Sequence, residues 1–209
     1  MPESGGAAPT LRWLMAGDTL ASRLLDVIDS DIMPMTERGV ASGNKVFGAA
    51  ILRKSDMSLV IAETNAETDN PLLHGEISTL NQFYEMPDRP STCDLVFLST
   101  HEPCPLCLSA ITWAGFDNFY YFFTYEDSRD TFAIPHDLLI MKEVFGVEDG
   151  AYRRSNAFWT AYAIADLVAS EAEPLRAQLH ARDQSIRVRY RALSEAYQLT
   201  KGDNDIPFN

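Results

Sequence analysis

The sequence predicts an α/β layered domain over roughly residues 10–150, and two observations carry that prediction. Short apolar runs of strand length recur at Val46–Leu52, Ser58–Ala62, Asp94–Thr100 and Asn118–Thr124. Between the later runs stand segments with helical spacing, so the order strand–helix–strand–helix–strand argues for helices layered on a sheet.

Taken in order, residues 1–9 are small, polar and proline-containing, and read as a disordered N-terminus. Leu11, Leu14, Met15, Leu20, Leu24, Leu25, Val27 and Ile28 then recur at helical spacing and predict one or two helices ending before Pro34. Gly39–Lys45 reads as a loop. The runs 46–52 and 58–62 flank Lys54-Ser55-Asp56 and predict a hairpin. Thr64–Pro71 is polar, with Asn65, Asn70 and Pro71 as loop formers.

His74 opens a helix whose face includes Ile77, Leu80 and Phe83, stopping before Pro87. Residues 94–100 read as a strand, with Cys93 at its mouth as a small buried apolar residue. Pro103 and Pro105 suit a helix's first turn, where a missing N–H costs little. Residues 118–124 are aromatic throughout and read as a strand buried on both faces. Beyond it, helices are expected over 138–145, 156–170 and 174–199, forming a helical appendix at 151–201 packed on the same domain, with a loose tail at 202–209. Trp113, Trp159 and the aromatic strand read as core. One of Phe158 and Trp159 reaches a pocket if the 156–170 helix folds over it.

Composition bounds the function. A chain of 209 residues, 46% hydrophobic, can bury one good core. Three cysteines, two of them in one C-x-x-C, leave no disulfide framework and fit a reducing interior. With no signal-peptide order and no apolar run long enough to span a bilayer, the expectation is a soluble, cytoplasmic protein without a membrane partner. A net charge of −13 argues against nucleic acid as a partner, because polynucleotide affinity rests on Lys and Arg. The C-terminal arginines 176, 182, 187, 189 and 191 read as a solvated helix face.

The chemistry concentrates in His74-Gly75-Glu76 and Pro103-Cys104-Pro105-Leu106-Cys107. One imidazole and two thiols suit tetrahedral zinc, and a three-ligand site leaves the fourth position for water. Glu76, two residues after the histidine, is free to take a proton from that water and deliver it to substrate. A structural zinc site is the alternative, but it would want a fourth protein ligand.

His-x-Glu followed by Pro-Cys-x-x-Cys is the pattern of zinc-dependent deaminases, and over roughly residues 40–130 the chain resembles the cytidine and deoxycytidylate deaminase superfamily. His74–Leu80 is similar to the zinc helix of fungal-type cytosine deaminases. Glu102–Cys107 looks more like guanine and tRNA adenosine deaminases, which favour E-P-C-x-M-C. The resemblance implies a three-layer α/β/α fold with a central five-stranded mixed sheet and extra C-terminal helices. It implies Zn2+ on His74, Cys104 and Cys107, with Glu76 as the catalytic proton shuttle. It implies substrate contacts at Asn65, Gly75, Tyr125 and Asp127; Asn65 also reads as a loop-capping amide, and Tyr125 and Asp127 as ordinary loop residues.

The function implied is hydrolytic deamination of a free nucleobase or similar small-molecule heterocycle, cytosine or guanine first, by a homodimer. The alternatives are a tRNA or other nucleic-acid deaminase acting on a flipped base, and a non-catalytic protein keeping zinc for stability.

Overall fold

The computed structural model describes residues 19–208; the disordered segment expected at 1–9, and Leu11, Leu14 and Met15, lie outside them. The elements run α1 (Leu20–Val27), α2 (Met33–Ala41), β1 (Gly48–Arg53), β2 (Leu59–Thr64), α3 (Gly75–Glu85), β3 (Leu95–His101), α4 (Pro105–Trp113), β4 (Asn118–Phe123), α5 (Tyr125–Asp130), α6 (His136–Phe145), β5 (Thr160–Ala163), α7 (Ile164–Ser170) and α8 (Leu175–Thr200).

The five strands form one sheet in the order β2-β1-β3-β4-β5. β1 is antiparallel to β2 and β3, while β3, β4 and β5 run parallel, so the sheet is mixed. Strand alternation sends Ala49, Ile51, Leu95, Phe97, Phe119 and Tyr121 to one face, where Leu80 and Phe83 of α3 and Ile111 of α4 cover them. Ala50, Leu52, Val96 and Leu98 point to the other face. There α1, α2, α7 and α8 close the core with Leu25, Met33, Val168, Ile186 and Tyr190. This is the three-layer α/β/α arrangement.

Several local expectations need correction. The first helices do not end before Pro34. A π turn at Ile28–Ile32 joins α1 to α2, with Met33 N–H reaching the Ile28 carbonyl, and Pro34 sits in the first turn of α2. The wider turn absorbs the proline's missing donor and ring bulk. α2 also runs to Ala41, into the stretch read as loop.

Residues 156–170 are not one helix: β5 precedes α7, and Trp159 packs against the sheet while Phe158 is exposed. Trp113, expected in the core, is 92% exposed at the end of α4. Cys93 is exposed in a short turn rather than buried. Pro103 precedes α4, and only Pro105 lies in its first turn. The tail is held: Asn204 donates to the Gly43 carbonyl at 2.9 Å, and Ile206 is buried.

The arginines of α8 are not merely solvated. Arg182 pairs with Asp26, Arg189 with Asp29 and Glu37, and Arg187 with Asp127 and Asp183. They tie α8 to the acidic face of the first helices and to α5.

His101, at the end of β3, is buried in an aromatic box of Phe47, Phe123, Phe132 and Tyr190. Burial, aided by the Arg187 charge, holds its pKa well below the ordinary imidazole value. Below the unfolded value of about 6.5 the unfolded chain takes up a proton that the folded chain refuses, so stability falls with pH there. The loss approaches about 1.4 kcal/mol per pH unit. Urea unfolding at pH 7.5 and pH 5 checks this: His101→Leu should show a smaller acid loss than wild type, and parallel losses would contradict the assignment.

Candidate active site

Two helix N-termini meet beside the sheet. His74 is the N-cap of α3 and Cys104 the N-cap of α4, both in extended backbone, so their side chains stand off the helix starts. Pro105 at the first position of α4 fixes that entry, and Cys107 follows in the same turn. His74, Cys104 and Cys107 each offer one donor atom, all within 4.8 Å of one another. His74 faces the thiols with Nδ1, at 3.4 Å from Cys104 Sγ and 3.6 Å from Cys107 Sγ. Its other nitrogen, Nε2, lies 3.8 Å from Glu67, a buried carboxylate of the kind that orients a metal-binding imidazole.

Glu76 is buried in the first turn of α3. Its Oε2 accepts from Cys107 Sγ at 3.3 Å, and Ser99 Oγ lies 2.9 Å from its Oε1. Ser99 also lies 2.6 Å from the His101 carbonyl, and its one proton serves one acceptor at a time. Burial, then the Cys104 charge, pushes Glu76 above the usual carboxylate range.

Among the protein groups alone, the donor from Cys107 and the neighbouring His74 hold Cys104 well below the usual thiol value. Burial and the Cys104 charge push Cys107 up. Burial acts to lower His74, but Cys104 and the carboxylates of Glu76 and Glu67 outweigh it and raise the imidazole to about 9. The cluster thus pairs a Cys104 thiolate with the His74 imidazolium at two helix N-termini, and a divalent cation would displace the protons of His74 and Cys107. One nitrogen and two sulfurs fit the borderline-soft character of zinc.

The other residues expected at the site fall into different places. Asn65 is buried, with Oδ1 accepting from Gly75 N–H at 2.5 Å and Nδ2 donating to Glu67 at 2.6 Å. Its amide ties the entry of α3 to the loop after β2. Gly75 serves packing: a Cβ there would lie 2.6 Å from Gly48 Cα, so α3 rests directly on β1. Gly75→Ala is expected to cost about 1–3 kcal/mol by overpacking and to lower metal retention by moving His74 and Glu76; unchanged Tm and metal content would contradict this.

Tyr125 is buried and donates to the Pro103 carbonyl at 2.5 Å, bracing the turn that presents Cys104. Asp127 closes the capping box of α5 and pairs with Arg187. Neither lines the cavity over the metal-type cluster. Phe158 and Trp159 do not line it either.

That cavity, of about 530 Å³, is lined on one side by the buried Lys45, Glu67 and Cys104 and the half-buried His74 and Asp137. Lys45 Nζ pairs with Glu67 at 2.8 Å. Asp137, in the first turn of α6, is half-buried against the cavity. Burial, then the Cys104 charge, pushes its carboxyl well above the usual range. Sequence reasoning missed Lys45, Glu67 and Asp137. The one available signal was Pro135-His136-Asp137 at a helix start, a weak one. The tail reaches the cavity through Pro207 and Phe208, whose ring meets His136 at 5.4 Å.

Glu102 of the E-P-C run is a structural hub. Its buried carboxylate accepts from Tyr125 N–H, Tyr152 hydroxyl and Arg154, fixing the turn before Cys104. Among the described residues no helix is long and apolar enough to cross a membrane.

Comparison with known proteins agrees with this geometry. Residues 31–123 match the family model described as the cytidine and deoxycytidylate deaminase zinc-binding region. A guanine deaminase from Bacillus subtilis (strain 168) is 29% identical over 99 residues, which are 47% of this chain and 62% of that protein. The match thus spans less than two thirds of that relative's length. The X-ray structure of guanine deaminase from Bacillus subtilis superposes with a TM-score of 0.50 at 21% identity, covering 66% of this chain and 87% of that one. A mutant of NE0047 in complex with 8-azaguanine gives a TM-score of 0.51 at 14% identity, covering 84% and 86%. Motif and matched region agree: residues 31–123, which hold His74, Glu76, Cys104 and Cys107, are similar to the cytidine and deoxycytidylate deaminase zinc-binding region.

Proposed function

We propose that the protein is a zinc-dependent hydrolytic deaminase of a free nucleobase or similar small amino-heterocycle, releasing ammonia. One observation carries the reading: His74 Nδ1, Cys104 Sγ and Cys107 Sγ converge, with His74 and Cys104 lining a cavity and the Glu76 carboxylate against Cys107. The partial relationship to a guanine deaminase makes guanine the first base to test, ahead of cytosine.

His74, Cys104 and Cys107 would hold the zinc, which when bound supplies an activated water at neutral pH. Glu76 would take one proton from the attacking water and pass it to a ring nitrogen, then take the second proton from the added hydroxyl as the carbonyl forms and deliver it to the departing amine. Its raised pKa suits a group that must both accept and return a proton. Ser99 holds Glu76 in place through the exchange. Glu67 orients His74 from behind, with Lys45 balancing its charge. Asp137 is a second carboxyl on the cavity wall, able to donate a hydrogen bond to the substrate ring in its protonated form.

A polynucleotide substrate is disfavoured, because Arg176, Arg182, Arg187 and Arg189 are spent on internal ion pairs. Three unpaired cysteines accord with a cytoplasmic location. The exposed Trp113 and Phe158 offer apolar surface for a homodimer.

Ammonia release by zinc-loaded protein, over guanine, cytosine, adenine, cytidine and deoxycytidylate, tests the reading. Turnover of a free base is the expected result. Silence on every free base, with zinc bound, would overturn it.

A further inference from the structure

The cavity is larger and greasier than a bare base requires. An apolar space of about 150 Å³ holds one benzene-sized ring, so a fused two-ring base fills roughly 300 Å³ of the 530 Å³ present. Space on the order of 200 Å³ remains, room for another ring. Its walls differ from the polar side of the cavity. The rim side chains Leu72, Leu106, Val144, Phe145 and Phe208 are 60%, 40%, 68%, 60% and 66% exposed, and none carries charge. His136 is the titratable side chain that meets this rim, its ring against Phe208.

The reacting carbon must face Glu76 and the His74–Cys104 pair, so the ring edge opposite the amine faces this rim. A ribose or phosphate placed there would lose water without gaining donors from these five side chains. An apolar group would gain by leaving water. We propose that the substrate is an aminated heterocycle carrying an alkyl or aryl substituent on the edge opposite its amine, a class that rests on the deaminase reading above. The rim is a specificity surface continuous with the polar side where the chemistry occurs.

The test uses the zinc-loaded full chain and two series: guanine with its 9-methyl, 9-propyl and 9-benzyl derivatives, and cytosine with the matching 1-substituted compounds. kcat/KM should rise by roughly fourfold for each methylene taken out of water, until the remaining space is filled. Binding to the Glu76→Gln variant, read by calorimetry, should follow the same order. Val144→Asp and Leu106→Asp, both at exposed positions, should cut the benzyl-to-parent ratio by about tenfold or more. A flat or falling series, with the parent base turned over, would overturn the proposal and leave the deaminase reading standing. A Val144→Asp variant with smaller assembly size and an unchanged ratio would also overturn it, assigning the rim to contact between copies of the chain. Neither turnover nor binding of any member, with zinc in place, would overturn both readings.

Discussion

Glu76→Gln is expected to keep its zinc and lose turnover by roughly 10²–10⁴-fold, the usual contribution of a positioned acid–base group. The amide keeps the shape of the side chain and can still contact Ser99, now 2.9 Å from Oε1. It cannot take up and return a proton. Metal content should hold, because the three donors come from His74, Cys104 and Cys107. Parallel measurement of zinc stoichiometry and ammonia release separates the two effects. A variant turning over within a few-fold of wild type would remove Glu76 from the chemistry.

Cys104→Ala should strip the metal and lower the Tm by about 5–10 °C. The free energy of metal binding adds to folding, about 2.7 kcal/mol when free zinc stands a hundredfold above its Kd. For a chain of this size each kcal/mol moves the Tm by about 2–4 °C. Cys104 is also the N-cap of α4 and is buried, so its loss loosens the helix entry that Tyr125 and Glu102 brace. A chelator should bring wild type towards the variant's Tm and leave the variant unmoved. Unchanged zinc content in Cys104→Ala would rule the residue out as a ligand.

The parts of the site legible in the sequence are those written in local chemistry. His74 and Cys104 sit where helices begin, and Pro105 marks one of those starts directly. The hairpin and the apolar strands of 94–100 and 118–124 were readable because strand-length runs stood between polar turns. What the sequence concealed depends on distant packing. β5 is four residues long and runs straight into α7, so Phe158, Trp159, Tyr162 and Val168 imitate helical spacing. The π turn before Pro34 follows from the fit of α1 and α2 on the sheet, which no local pattern records.

Lys45, Glu67 and Asp137 come from three separate loops and helix starts, and only the closed cavity gathers them. Asn65 shows the limit from the other side. The sequence marked it as either a ring contact or a capping amide, and only its short bond to Gly75 N–H displays the capping role. Cys93 was misplaced because a small apolar residue beside a strand resembles core, whereas it lies in a turn facing solvent.

The most direct test of the account is X-ray absorption at the zinc edge of the loaded wild-type protein. Two sulfurs at about 2.3 Å and two nitrogen or oxygen donors at about 2.0–2.1 Å, one of them exchangeable, are the predicted shell. That result would set His74, Cys104 and Cys107 around an open catalytic position. A shell without sulfur, or one closed by four protein donors, would contradict it.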